Sequence, residues 1–482
     1  MTFTAQIVWE ARTTGSDTNG GGFRLGGSGS DYSQQNSPQY SGTDLEINSA
    51  NNLQVKSTTA GSPIAADVGN LIMISNGLSW NLGWYEIVSQ DGTWWTLDAS
   101  PGAAGLTGGH FAVGGALASP GVGWAVSHYK GTGNYRGFVW IESGTYPVVT
   151  STTSGPVPPS GCMFYSYRSS AQGYDPALGR GPKPSSNPVI QAQSGYTGRA
   201  ADIGYNGNVS YSTGGLSYID FDTNGLCTTS GFVFSPSEVY YCNVYGSSTQ
   251  DLISGGYWRF CSMVSRVSSY KAVARYASLD NCYMELLPTA FRAYVGYGFS
   301  ANNSVLVSRG TGGFQYAAVH LDRHGKLTNC LVYVDGGQAG FNGIGEHQIV
   351  INNVFVCGGT PQQLWRTSSA GPLSGNWNNV KFHNNYYYGF TNTSLSSVNA
   401  IPDGAGRVES PIALTQDPFV DSAGGDFTLD STGADYSSVL SGNISDQKIA
   451  NTTVGPRLST FTVNTGGGVS TPAAAVRHTR LK

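Results

Sequence analysis

The sequence predicts an all-β chain whose central part is a solenoid of short parallel strands. Three observations predict it: the composition, a recurring strand-and-turn unit, and the length of the step between units. Only 11% of the 482 residues are charged, against roughly 25% in ordinary globular chains. There are 67 Gly, 28 Tyr, 19 Phe and 10 Trp, a composition suited to strands and tight turns. Short strands opened by Asn recur as LDNCYMEL, ANNSVLVS, LTNCLVYV, INNVFVCG and FHNNYYYG, which puts Asn281, Asn303, Asn329, Asn353 and Asn385 in phase with steps of 22, 26, 24 and 32.

Upstream the phase continues through Cys261, Cys242 and Phe221, and GFVWIESGTYPV, CMFYSY and PVIQAQ are further strand-like runs. About eleven rungs fit between Gly137 and Phe390 on a period-2 strand template. Steps of 19 to 32 residues leave no room for a crossover helix of about a dozen residues in every unit. They fit coils stacked about 4.8 Å apart, with equivalent side chains laddering upward: Asn in the turns, Cys and aliphatics inside.

Outside the repeat, the segments differ in character along the chain. RTTGSDTNGGGF, residues 12–23, has the chemistry of an Asx-type turn. Residues 51–115 alternate short strands with Gly and Asn turns and read as a small antiparallel module. Its Trp80, Trp84, Trp94 and Trp95 fit either a thin core or a sugar- or subunit-binding surface. SPGVGWAVSHYKG, residues 119–131, reads as a cap helix, with Ser119 at the N-cap, Pro120 at the first helical position and Gly131 past the end. It covers the open edge of the first rung. The expected organisation is an opening segment at 1–50, the module at 51–115, the solenoid at 116–390, a closing segment at 391–443 and a linker with a basic tail at 444–482.

Charge and cysteine usage narrow the function. The net charge is -4 and no Lys/Arg run could track a phosphate backbone, which argues against nucleic acid. MTFTAQIVWEARTTG lacks the basic and apolar regions of a signal peptide, and no window nears 18 consecutive apolar residues, so neither signal-directed export nor membrane insertion is expected. Seven cysteines without a CxxC pair fit buried thiols made in a reducing cytosol, with no zinc site and no cofactor.

Three stretches resemble the right-handed parallel β-helix superfamily, the fold of pectate lyases and many phage tailspikes. GSDTNGG at 15–21 is similar to the opening turn of such chains. ALASPGVGWAVSHYKGTGNYRGFVWIESGTYPV at 116–148 resembles their cap helix and first rung, and DPFVDSAGGDFTLDSTGADY at 417–436 resembles their closing segment. The family hosts lyases, hydrolases, adhesins and virion spikes, so the fold leaves the chemistry open.

The candidate chemistry centres on HLDRHGK, residues 320–326. In a strand, His320, Asp322 and His324 share one face. Glu346 lies 24 residues after Asp322, the step from Asn329 to Asn353. Stacked roughly 5 Å apart, the two carboxyls would have the spacing of a retaining glycosidase, with one pKa raised and His324 in support. Metal ligation by this row lacks a fourth ligand, and none is expected. Trp258, Tyr316 and Trp365 are candidate sugar platforms.

Two functions are consistent with these readings. One is a phage virion protein, such as a tail spike, fibre or capsid-bound protein. It would be made in the host bacterial cytoplasm and assembled as a homo-oligomer, with a trimer favoured, in contact with other virion proteins and a host-surface glycan. The alternative is a polysaccharide hydrolase or lyase working through Asp322, Glu346 and His324.

Overall fold

The computed structural model describes residues 7–118, 137–148, 163–166 and 187–192, and five short strands between 201 and 222. It further describes 232–234, 238–248, 251–267, 271–287, 294–309, 317–321, 324–335, 339–342, 348–360, 364–366, 381–391, 411–435 and 439. These residues are all-β, with two short 3-10 turns at Tyr32–Gln34 and Ala65–Asp67. The expected cap helix at 119–131 and parts of several expected rungs lie outside them. The chain divides into two compact units, one running to Asp222 and the other holding most of the rest.

In the first unit the strand Ile7–Ala11 pairs in parallel with Gly137–Ile141, which pairs in turn with Met163–Ser166. A second parallel row joins Thr145–Val148, Val189–Ala192 and Asp220–Asp222. Between Ala11 and Gly137 sits a closed six-stranded antiparallel barrel built from Tyr40–Asn48, Asn51–Lys56, Leu71–Asn76, Gly83–Gln90, Trp95–Leu97 and Gly109–Val113. The barrel includes Tyr40–Asn48, so it begins before residue 51. Closure removes the free strand edges that a small antiparallel module would otherwise expose. Leu45, Ile47, Val55, Ile72, Ile74, Tyr85, Ile87, Trp95 and Phe111 fill its core. Trp80 and Trp84 are also buried, and Trp94 lies under the Lys56 ammonium at 4.4 Å. Three of the four tryptophans therefore serve the interior.

The opening stretch at 12–23 and the exit of the barrel are zipped together. Ser16 N–H donates to Ala116 O at 3.0 Å, Gly20 N–H to Gly114 O at 2.8 Å and Gly21 N–H to Gly115 O at 2.9 Å. Asn19 Nδ2 donates to Ala116 O and Asn36 O, and Asp17 Oδ1 accepts from Ala118 N–H. The strands come so close at Gly20 that a Cβ there would lie 2.2 Å from Leu71 O. The glycines of this stretch are thus required for close backbone approach.

In the second unit, the described strands between Phe232 and Ala413 form a parallel β-solenoid of three sheets. The first sheet stacks Glu238–Tyr240, Tyr257–Arg259, Ser278–Asp280, Ser300–Asn302, Lys326–Thr328, Ile349–Ile351 and Lys381–His383. Each is followed, after two residues, by a strand of the second sheet: Asn243–Ser248, Ser262–Val267, Tyr283–Leu286, Val305–Ser308, Leu331–Val334, Val354–Cys357 and Tyr386–Tyr388. The third sheet stacks Phe232–Phe234, Ile253–Ser254, Ala272–Arg275, Tyr294–Tyr297, Ala317–His320, Ala339–Asn342 and Trp365–Arg366.

The two-residue turn between the first and second sheets is the repeating joint. Its first residue is left-handed at Tyr241, Phe260, Asn281, Asn303, Asn329, Asn352 and Asn384, with φ between 48° and 59°. Asn tolerates this region better than other side chains with a Cβ. Tyr241 and Phe260 occupy it with their rings stacked 5.1 Å apart. Its second residue points inward and is buried: Cys242, Cys261, Cys282, Ser304, Cys330, Asn353 and Asn385. Asn281, Asn303 and Asn329 therefore stand where the sequence puts them. Asn353 and Asn385 do not, because the left-handed members of those rungs are Asn352 and Asn384. Phe221 belongs to the strand Asp220–Asp222.

The inward column closes the hydrogen bonds that the turn would leave open. Cys282 N–H donates to Ser304 Oγ at 3.1 Å, Cys330 N–H to Asn353 Oδ1 at 2.9 Å and Asn353 N–H to Asn385 Oδ1 at 3.0 Å. In the reverse direction, Cys282 Sγ donates to Trp258 O at 3.3 Å, Asn353 Nδ2 to Leu327 O at 2.9 Å and Asn385 Nδ2 to Val350 O at 2.9 Å. Asn353 and Asn385 thus each accept from one backbone group and donate to another on the preceding rung. Five cysteines, Cys242, Cys261, Cys282, Cys330 and Cys357, are free and buried, as expected of them. Burial pushes the Cys330 thiol up to about 12, so it stays protonated and acts as a weak hydrogen-bonding spacer.

The second sheet is covered on both faces. Val244, Met263, Met284, Leu306, Val332 and Phe355 point into the solenoid. Tyr283, Val305, Val307, Leu331, Tyr333, Val354 and Val356 pack outward against Leu414, Phe419, Phe427 and Val439 of the closing segment. Its hairpin, Phe419–Asp421 with Asp426–Leu429, is further held by Arg309 Nη1, which donates to Ala423 O at 3.0 Å. Arg309 in turn pairs with buried Glu285 at 2.6 Å, whose other oxygen accepts from Tyr283 Oη. Burial on two sides explains why LVYV and VFVC read as continuous apolar runs.

Replacing Asn353 by Ala strands the Cys330 N–H, worth about 1–3 kcal/mol when buried without a partner, and takes one hydrogen bond from the Leu327 C=O. The expected loss is about 2–5 kcal/mol, read as a lowered urea midpoint. Ser304→Cys, which only extends the thiol column, should shift stability by less than about 1.5 kcal/mol.

Candidate functional site

The sequence-predicted row at 320–326 does not form one strand. The strand Ala317–His320 ends at His320, and His324 has φ 63°, a turn conformation. His320 and His324 therefore do not share a continuous strand face. Asp322, Glu346 and Tyr316 lie outside the described residues. On either side of them the register steps are 22 residues, His320 to Asn342, and 23 residues, Lys326 to Ile349.

Trp258 is fully buried in the first sheet's inward column, with Nε1 donating to Gly255 O at 3.0 Å. Its face is used in packing, so it is not a sugar platform. Trp365 pairs with Phe341, in the register column whose lower members Ile253, Ala274 and Val319 are buried.

What the fold does bring together is an outward column at the corner where the third sheet turns into the first. Register places Ser254, Arg275, Tyr297 and His320 in one line. Tyr297 and His320 stack with centroids 4.5 Å apart and planes within 10°. The Arg275 guanidinium lies 5.1 Å from the Tyr297 ring and 5.1 Å from the Tyr276 ring. Tyr276 follows Arg275 in a left-handed conformation, φ 53°, and is 54% exposed. Tyr276 thus combines a positive φ, which a bulky side chain rarely adopts, with a ring left open to solvent.

Charges support this corner from below. Arg275 Nη1 pairs with Asp251 Oδ2 at 3.1 Å, and Asp251 Oδ1 accepts from Ala272 N–H at 2.8 Å. Burial works to pull the Arg275 pKa down, but the hydrogen bond and charge of Asp251 outweigh it and leave it raised. On the neighbouring first sheet Arg259 donates to Tyr257 Oη at 2.9 Å and lies 3.8 Å from Asp280. The hydrogen bond to Tyr257 is the main influence raising its pKa. Fixed, charged guanidiniums between tyrosine faces can hold a ligand that has both an apolar face and polar edges.

Sequence reasoning missed Arg275, Tyr276 and Tyr297. The signal was the third strand of each rung, in AVARYA, YVGYGF and AAVHLD, where Arg275, Tyr297 and His320 close the strand in one column. Among the described residues no His, Cys, Asp and Glu cluster could hold a metal ion, and no helix is long and apolar enough to cross a membrane.

Among solved structures, this chain is similar to a phage tailspike. That protein is tailspike protein gp49 from Acinetobacter baumannii bacteriophage Fri1, a capsular polysaccharide depolymerase, with 13% identity and a TM-score of 0.34. The match covers 53% of this chain and 49% of that one, so the chain spans about half of its length. No protein-family model matches the chain, and no curated protein does.

Burial predicts opposite outcomes for two aromatics. Trp258→Ala should cost about 3–5 kcal/mol. Tyr276→Gly should change stability little, or raise it by up to about 1 kcal/mol as the positive φ is relieved. Urea denaturation of both variants separates the core ring from the surface ring.

Proposed function

We propose that this chain is a phage virion surface protein, a tail spike, fibre or capsid-bound protein. In this reading a right-handed shaft of about eleven rungs assembles as a homotrimer with other virion proteins and contacts a host-surface glycan. The observation that carries the glycan contact is the corner ladder of Arg275, Tyr276, Tyr297 and His320. Aromatic faces pack on the apolar faces of sugar rings, while guanidinium and imidazole edges hydrogen-bond hydroxyls. Rungs repeating about 4.8 Å apart make the contact extended, as a polymer requires. The likeness of GSDTNGG and of the 417–436 segment to the parallel β-helix superfamily, the fold of many phage tailspikes, is consistent with the virion role.

A second reading adds hydrolysis or elimination by Asp322, Glu346 and His324. What favours it is the position of Asp322 in the sequence between His320 of the ladder and His324 beside it. A glycan bound at the corner would then lie next to a carboxylate.

Antibody against the chain should label intact purified particles, and labelling confined to lysate debris would sink the virion role. The double variant Tyr276→Ala, Tyr297→Ala should weaken retention on host-surface glycan by about tenfold or more while its circular dichroism stays unchanged. Asp322→Asn with Glu346→Gln should abolish any glycan cleavage if the second reading holds, and intact cleavage rejects it.

A further inference from the structure

We infer that the corner ladder selects a carboxylate-bearing, acidic polysaccharide over a neutral one. The inference rests on the reading that the corner contacts glycan, and it is carried by the charges on that corner.

Three successive rungs meet there. The first supplies Arg275 and Tyr276, the second Tyr297, and the third His320, His324 and Lys326. Lys326 and His324 are exposed, and Lys326 N–H donates to Ser300 Oγ at 3.1 Å, which fixes its backbone over the rung below. The Arg275 side chain is 34% exposed, whereas its partner Asp251 is only 9% exposed. Asp251 accepts from Ala272 N–H and from Arg275. Its charge is therefore spent beneath the surface, and the solvent side presents the cation.

The acid on the adjoining first sheet, Asp280, is 23% exposed and lies 3.8 Å from Arg259. It also accepts from the Asn281 and Asn302 amides. Solvent thus meets Arg275, Arg259 and Lys326, with the two acids turned to protein partners. Three cations against two acids leave one positive charge in excess, a local arrangement against the net charge of -4 of the whole chain.

A neutral sugar would need only the tyrosine faces and hydroxyl partners. A guanidinium pinned between two aromatic rings, with an ammonium two rungs along, matches an anion repeated along a polymer. The carboxylate of an acidic sugar takes charge-assisted hydrogen bonds from Arg275 while its ring lies on the exposed Tyr276. The next acidic unit meets Lys326.

The test uses the full chain immobilised and five soluble polymers: polygalacturonate, hyaluronan, polysialic acid, carboxyl-reduced polygalacturonate and dextran. At least one acidic polymer should be retained, and raising salt from about 50 mM to about 500 mM should weaken that retention by about tenfold or more. Lys326→Gln, an exposed change that leaves the fold intact, should weaken it by about threefold or more. Arg275→Gln should do so more strongly, with thermal melting checked because Asp251 loses its partner. Equal retention of polygalacturonate and its carboxyl-reduced form, or indifference to both substitutions, overturns the inference. If the neutral polymers are retained and Tyr276→Ala releases them, acid selection fails while the glycan-contact reading stands. If no polymer is retained, both fall.

Discussion

The solenoid depends on one constraint: a two-residue turn must pass from the first sheet to the second without leaving backbone polar groups stranded in the interior. A left-handed first residue makes the turn sharp enough. The second residue must then face inward, where water cannot satisfy its neighbours. The chain answers with small side chains that both accept and donate, so bonds run between rungs through Cys, Ser or Asn. Because the joint holds the first and second sheets at a constant offset, the inward columns stay in register. Trp258, Leu279, Ala301 and Leu327 then stack in one line and Met263, Met284, Leu306 and Val332 in another.

This joint is legible in the sequence because its left-handed position is so often Asn. The pattern slips by one residue at the last two rungs, where INNVF and HNNYY each offer two adjacent asparagines. Both can occupy a turn, and both can bridge rungs. All four asparagines are buried, and only the positive φ of Asn352 and Asn384 separates them from Asn353 and Asn385. That slip matters for the proposed carboxylate pair, since the 24-residue step runs from Asn329 to Asn353, whereas the structural equivalent of Asn329 is Asn352.

The corner ladder is illegible for a different reason. Its residues end the third strand of each rung, and the segment from there to the next strand changes length. Two residues separate Arg275 from Ser278 and Tyr297 from Ser300, but five separate His320 from Lys326. A fixed-period reading loses phase at such a loop. The alternation of His320, Asp322 and His324 then imitates a strand, although the chain has already left the sheet. Trp258 misleads in the opposite sense: tryptophan suits sugar binding by type, yet its place in the middle of a three-residue strand commits it to the interior.

The outer cover of the second sheet carries a consequence for biosynthesis. Strands such as Leu331–Val334 and Val354–Cys357 finish translation well before Phe419, Phe427 and Val439 reach them. At about 5–20 residues per second, the roughly fifty residues from Tyr388 to Val439 take about 3–10 s. During that interval a tall apolar wall of Val, Leu and Tyr faces water on the nascent chain. Folding of the unit is therefore ordered in time, with its most aggregation-exposed surface shielded last.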